Sequence, residues 1–313
     1  MQMSVLPPEI LITIINTLTS DTQLDAYTYT SEVKEALRSL ALVNHAYHGW
    51  SSSLLYYRIT ITKDQIGQLV ATLSEATPRI QSLAKRVHSL RLVIDPTGSK
   101  VVPRNTAGDD KYLIKATSLL RILASTLTLQ RLFMETDLNS THPGTDTNLR
   151  YAASCLTSLA ELVLINRENR DVNFFWDIEL AKHQYDCLLG LQVLIMADVT
   201  INDPGTTDFL LPLVNLKMLV LIRPWIDHSY TEVGSIIADL FAPHRALRHL
   251  TFVLIDGWEG WGLDSLTAED LGPKMAPHLD KVDIFSERNP QAPRPWTEIG
   301  NMIGMGHQWG QHN

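Results

Sequence analysis

A six-residue register, apolar-x-x-apolar-x-apolar, recurs seven times along this 313-residue chain and constrains its fold more than any other feature. It falls at Val87/Leu90/Leu92, Leu129/Leu132/Met134, Leu159/Leu162/Leu164, Leu191/Leu194/Met196, Leu216/Leu219/Leu221, Leu247/Leu250/Phe252 and Leu279/Val282/Ile284. The starts lie 42, 30, 32, 25, 31 and 32 residues apart. Helix-compatible segments at 112–123, 177–189 and 230–241 separate them, and the extra length is assigned to polar, Gly/Pro-containing loops at 95–111, 136–150 and 202–208. Each unit then reads as a short strand returning through a helix to the next parallel strand. No such unit buries its own apolar face, so stacking has to stabilise it. The alternative is a doubly wound α/β sheet. Its strands are usually continuous apolar runs covered on both faces, and one register repeated seven times is less expected there.

The residues ahead of the array read as short helices. Pro7 and Pro8 suit a first helical turn, where a missing N–H costs nothing, and Glu9 complements the helix dipole. Ile10, Leu11, Ile14, Ile15 and Leu18 follow at helical spacing. A second helical pattern runs from Ser31, a candidate N-cap, through Val33, Leu37, Leu40, Ala41 and Val43. Asn44 reads as a break and recap before a third segment carrying Tyr47, Trp50, Leu54 and Leu55, and residues 58–62 alternate as a strand does.

Composition removes several classes of function. With 45% apolar and 19% charged residues the chain suits a folded protein, and a net charge of -8 gives no support to general phosphate neutralisation. The charge is uneven: residues 79–134 hold 10 basic against 3 acidic residues (+7), and from 135 onward 12 basic face 24 acidic (-12). One basic face in the first third therefore stays open, but no nucleic-acid partner is expected. Nor is a membrane, because the apolar stretch 210–222 is interrupted by Pro212, Asn215 and Lys217 well short of the roughly 20 residues a bilayer needs. Cys155 and Cys187 are too few for a disulfide framework. Each stands four residues before a repeat's first leucine, so they read as small buried equivalents in adjacent units rather than a redox pair. With no secretory start, a cytoplasmic or nuclear location is expected. Motifs for nucleophilic, phosphate-binding, dinucleotide or zinc-hydrolase chemistry are absent. His45 and His48, at i and i+3, lack the further donors a metal site requires. No enzyme activity, cofactor or metal is expected.

Leu6-Pro7-Pro8-Glu9-Ile10-Leu11, continuing to Ile14, Ile15 and Leu18, resembles the start of the F-box motif. The stretch from Leu40 through Val43, Asn44, His45, Tyr47 and His48 to Trp50, followed by Leu54-Leu55-Tyr56-Tyr57-Arg58, resembles its second half. The link at 20–30 is longer than the usual one. As a whole the chain resembles fungal-type F-box proteins with degenerate leucine-rich repeats, although the Asn or Cys of the usual repeat is replaced by residues such as Asp95, Asp137 and Pro224. The resemblance implies an α/β fold: a three-helix F-box-like module at 1–60, an irregular solenoid of parallel strands with helical backs at 61–285, and an irregular tail at 286–313. It further implies that the module docks a Skp-type adaptor, and through it a cullin ligase, while the repeats hold a protein target for ubiquitylation. The adaptor-binding candidates are Leu6, Pro7, Glu9, Ile10, Leu11, Ile14, Val43 and Trp50. Under 60 residues of short helices expose more apolar surface than they bury alone, which agrees with an external partner. Two other classes remain: a repeat-based scaffold with a purely structural cap, and an α/β enzyme whose site lies beyond the strand ends.

In a strand whose leucines face the core, the residues between them face the other way, onto the expected concave surface. One column reads Ser89, Arg131, Glu161, Val193, Met218, His249, Lys281, and the next reads Arg91, Phe133, Val163, Ile195, Val220, Thr251, Asp283. Charged ends flank an apolar middle, as in a recognition groove. The substrate-binding candidates are Arg91, Arg131, Phe133, Glu161, Val193, Ile195, Met218, Val220 and His249, with Arg223, Trp225, Asp256 and Trp258 on a rim. The competing expectation is that the protein's own loops or tail cover the middle of this face.

Overall fold

The computed structural model describes residues 13, 29, 31–75, 77–94, 110–136, 143–166, 188–197, 199, 201, 209–222, 224, 244, 246–255 and 281–287. These fall in two compact units, Met1–Ile59 and Thr60–Pro290. The expected helix carrying Leu6 to Leu18, the helices at 177–189 and 230–241, and the tail at 286–313 lie outside the described residues, apart from residues 13, 188, 189, 286 and 287.

In the first unit, helices α1 (Ser31–Ala41) and α2 (His45–Tyr57) pack against each other. Asn44 breaks the run as its side chain dictates: in extended backbone it caps α2, its Oδ1 accepting from the Tyr47 N–H at 3.0 Å. Tyr29, Val33, Leu37 and Tyr47 are buried together, with Leu40, Leu54 and Leu55 packed on them. Burial raises the Tyr29 phenol above its ordinary pKa, against the Arg58 guanidinium 5.1 Å from the ring centre.

Among the described residues eight strands form one sheet, the last seven of them wholly within the second unit. Strands β1 (Arg58–Thr62), β2 (Ser89–Val93), β3 (Arg131–Thr136), β4 (Glu161–Asn166), β5 (Val193–Ala197), β6 (Met218–Ile222), β7 (His249–Ile255) and β8 (Lys281–Glu287) lie in the order of the chain. From β2 to β8 every neighbour is parallel, and the registers align one column, Leu90, Leu132, Leu162, Leu194, Leu219, Leu250 and Val282, across seven strands. A doubly wound sheet reverses its strand order at a switch point. This order never reverses, so that alternative falls, and with it the crevice in which such enzymes place a ligand.

The lock between units lies just ahead of each strand. The carbonyl of Gln130 accepts from the N–H groups of both Ala160 (2.8 Å) and Glu161 (3.0 Å). His88, Ala160, Gln192 and Lys217 use their carbonyls in the same way toward the following unit. A second bond shapes the approach: the N–H of Val87, Leu159, Leu191, Leu216 and Leu247 each donates to the carbonyl three residues earlier. Those earlier residues, Ala84, Leu156, Leu188, Leu213 and His244, are all buried, so the repeat has a fourth inward position ahead of the register read from sequence. Thr128 Oγ1 and Ser158 Oγ add side-chain bonds to the preceding unit, on the carbonyls of Val87 (3.2 Å) and Leu129 (2.8 Å).

Helices α3 (Lys63–Ser74), α4 (Pro78–Ala84), α5 (Asp110–Ala124) and α6 (Pro143–Ser154) alternate with the first strands, and α3, α5 and α6 pack side by side. Thr77 caps α4, with Pro78 in its first turn. Helix α6 corrects the expectation of a loop over 136–150. Its polar, Gly-containing start hides the periodicity, but Pro143 suits a first turn, and Leu149, Ala152 and Ala153 are buried at helical spacing. With the inward residues of the strands, which include Leu90, Leu132, Leu162, Leu194, Leu219 and Leu250, these helices form the core.

A buried leucine truncated in the centre of this column loses its transfer energy and leaves a cavity. Leu162→Ala is expected to cost about 2–5 kcal/mol in urea unfolding, and Leu189→Ala, which is 40% exposed, under about 1 kcal/mol. Equal costs would contradict the column as the core.

Candidate functional site

The repeating register turns the face opposite the leucines into three rows that cross the strands. The first runs Ser89, Arg131, Glu161, Val193, Met218, His249; the second Arg91, Phe133, Val163, Ile195, Val220, Thr251; the third Val93, Glu135, Ile165, Ala197, Ile222, Val253. Their burial differs. The third row is buried from Glu135 to Val253, and the second is buried at Phe133, Val163, Ile195 and Thr251. In the first row Arg131, Val193, Met218 and His249 are half-exposed. What a partner can reach is therefore a strip along the beginnings of the strands, widened by Arg91 and Val220, rather than the whole face.

Of the nine substrate-binding candidates, the strip brings together Arg91, Arg131, Val193, Met218, Val220 and His249. Phe133, Glu161 and Ile195 share the face but are buried, so they shape it from below and offer no area of their own. Arg223, Trp225, Asp256 and Trp258 lie outside the described residues.

Charge in the strip is organised by two buried carboxylates, Glu161 from the first row and Glu135 from the third. Glu161 is buried, and its Oε2 lies 3.3 Å from Nε of Arg131, directly across the strand pair. Glu135 is buried as well, 3.8 Å from the guanidinium of Arg91, which also lies over the Phe133 ring at 4.7 Å. Each pair keeps its anion inside and its cation toward solvent. Buried charge is tolerated only when paired, so the carboxylates hold the two guanidiniums in place. Glu135 was missed by the sequence analysis because it falls in the third row, past the columns considered. Two polar atoms in the first row, Ser89 Oγ and His249 Nδ1, are buried without a hydrogen-bond partner.

The first unit offers a second surface. Leu42 (88%) and Val43 (61%), in the turn between α1 and α2, are exposed, and Trp50 is exposed on α2 with its ring 5.9 Å from that of the buried Tyr47. Val43 and Trp50 are two of the eight adaptor-binding candidates. Leu6, Pro7, Glu9, Ile10, Leu11 and Ile14 lie outside the described residues.

Among the described residues no three His, Cys, Asp or Glu side chains come together as metal donors, and no helix is long and apolar enough to cross a membrane. Cys155 is half-buried; Cys187 lies outside the described residues.

No family model matches the chain, and no curated protein matches it. Among solved structures it is similar to internalin C2 from Listeria monocytogenes, with 14% sequence identity, over 86% of this chain and 96% of that one, at a TM-score of 0.32. The α/β assignment rests on the parallel registers themselves, not on this likeness.

Removing one member of a half-buried pair should harm more than removing both. Arg131→Gln is expected to cost about 1–3 kcal/mol because it strands a buried carboxylate, and adding Glu161→Gln should recover most of that. A double variant as unstable as the sum of the singles would show that Glu161 does not hold Arg131.

Proposed function

We propose that this chain is a protein-recognition subunit of a Skp–cullin ubiquitin ligase, with a leucine-rich-repeat-like array as its target-binding part and an F-box-like module as its dock. The array has the form that supports repeat-based binding: a repeated parallel strand with one accessible strip of mixed apolar and charged side chains. The ligase half of the proposal is carried by one observation. Two helices that bury Val33, Leu37 and Tyr47 together leave Leu42, Val43 and Trp50 on the surface. Leu42 and Val43 adjoin in one turn, and apolar side chains exposed together are a usual mark of a contact surface. Val43 and Trp50 are the two of the eight adaptor-binding candidates that fall in the second half of the resemblance; the other six belong to its first half, outside the described residues.

In this role the chain performs no bond chemistry. It holds a target beside the conjugating enzyme, so that transfer of ubiquitin proceeds as if intramolecular. A cytoplasmic or nuclear site of action follows from the proposal. The domain assignment belongs to it as well: a docking module through residue 60, a recognition array at 61–285 and a tail at 286–313.

Co-expression of the full chain with a Skp-type adaptor, followed by size-exclusion chromatography, tests the dock. The wild type is expected to co-elute with the adaptor, and Val43→Asp or Leu42→Asp to weaken the complex roughly tenfold or more without unfolding the protein, since both side chains are exposed. A wild-type chain that elutes alone would favour the scaffold with a purely structural cap.

A further inference from the structure

The strip of the array carries enough chemistry to narrow what it takes, and this inference rests on the protein-recognition reading above. We infer that the strip binds an extended peptide segment with an anionic side chain at the Arg131 end and an aliphatic side chain four residues away, over Met218.

The anionic end follows from how the ion pairs are layered. Glu135 and Glu161 are buried while Arg91 and Arg131 are half-exposed, so N–H donors, not carboxylates, meet an incoming partner. The Arg131 guanidinium has five donors in a planar fork, and Glu161 behind it lies against only one edge, at Nε. The remaining donors are held in fixed orientation, which suits an oxyanion. Ser89 stands in register with Arg131 and adds a buried hydroxyl without a hydrogen-bond partner. That is an independent mark of an incomplete polar site.

The apolar end follows from the same row. Val193 and Met218, on β5 and β6, are half-exposed and uncharged. Their spacing from Arg131 sets the motif. Neighbouring strands lie about 4.8 Å apart, so three strand spacings put Met218 roughly 14 Å from Arg131. An extended chain rises about 3.3 Å per residue, and side chains two or four residues apart share one side. Four residues therefore span the distance and point both side chains at the strip. Continued by two residues, the segment reaches His249, whose Nδ1 is also buried without a hydrogen-bond partner. Carboxylate and phosphate share the chemistry that this end recognises, and the peptides below tell them apart.

The test is fluorescence anisotropy of labelled nonapeptides with the full chain. Glu or phosphoserine stands four residues from Leu in the first set; in the controls the acidic position is Gln or Lys, or the spacing is three or five. The expected result is at least about tenfold tighter binding of the acidic peptides at the four-residue spacing. Glu and phosphoserine arms identify the source, and preference for either supports the inference. The Arg131→Gln/Glu161→Gln double variant, which leaves no orphaned carboxylate, should lose the acidic preference and keep weak binding. Met218→Lys should lose both. Equal binding of Glu, Gln and Lys peptides, or a preference for Lys, overturns the anionic motif and leaves protein recognition standing. Failure of every peptide to bind a folded chain overturns the strip as a recognition surface together with this inference.

Discussion

One backbone carbonyl per repeat, shared between two N–H groups of the next, sets the geometry of the array. Those of His88, Gln130, Ala160, Gln192 and Lys217 each accept two bonds just ahead of a strand. This fixes where every strand begins relative to the last. A slip of one residue would turn the leucines outward and the charges inward, because strand side chains alternate. The interaction is local and backbone-made, so it tolerates spacings from 25 to 42 residues between units. What cannot vary is the apolar column, since each unit leaves its inward face to be covered by its neighbours.

The accessible strip is a by-product of the same constraint. Constant register lines up side chains from distant parts of the sequence into rows, and variation within a row becomes a pattern across the surface. In the first row, cationic, apolar and imidazole side chains succeed one another from Arg131 through Val193 and Met218 to His249. The buried carboxylates below this row stiffen it: Glu161 and Glu135 orient the arginines that face outward. A rigid surface of this kind would lose little entropy on binding, which is what the proposed recognition of a peptide requires. The first unit is built differently, with a few exposed apolar side chains on two packed helices.

Much of this was legible in the chain itself because it depends on local pattern. Repeated leucines set seven strands and their registers, residues 58–62 alternate, and Asn44 carries the side chain a helix start needs. Helix α6 was not legible, because its first turns read as a polar Gly/Pro loop and its apolar residues come late. Burial of the second and third rows was not legible either. Which side chains are covered depends on chain remote in sequence, so Phe133, Glu161 and Ile195 looked as accessible as Val193. The inward position at Ala84, Leu156, Leu188, Leu213 and His244 was visible in principle. Its mixture of Ala, Leu and His hid it from a search for leucines.

Hydrogen exchange on a Leu219→Ala variant tests the stacked architecture most directly. If stability is passed between nearest neighbours, amides of β5, β6 and β7 exchange faster while those of β2 and β3 keep their wild-type rates. Uniform acceleration from β2 to β8 would mean that the sheet opens as one cooperative body, and the account of a stacked array would be wrong.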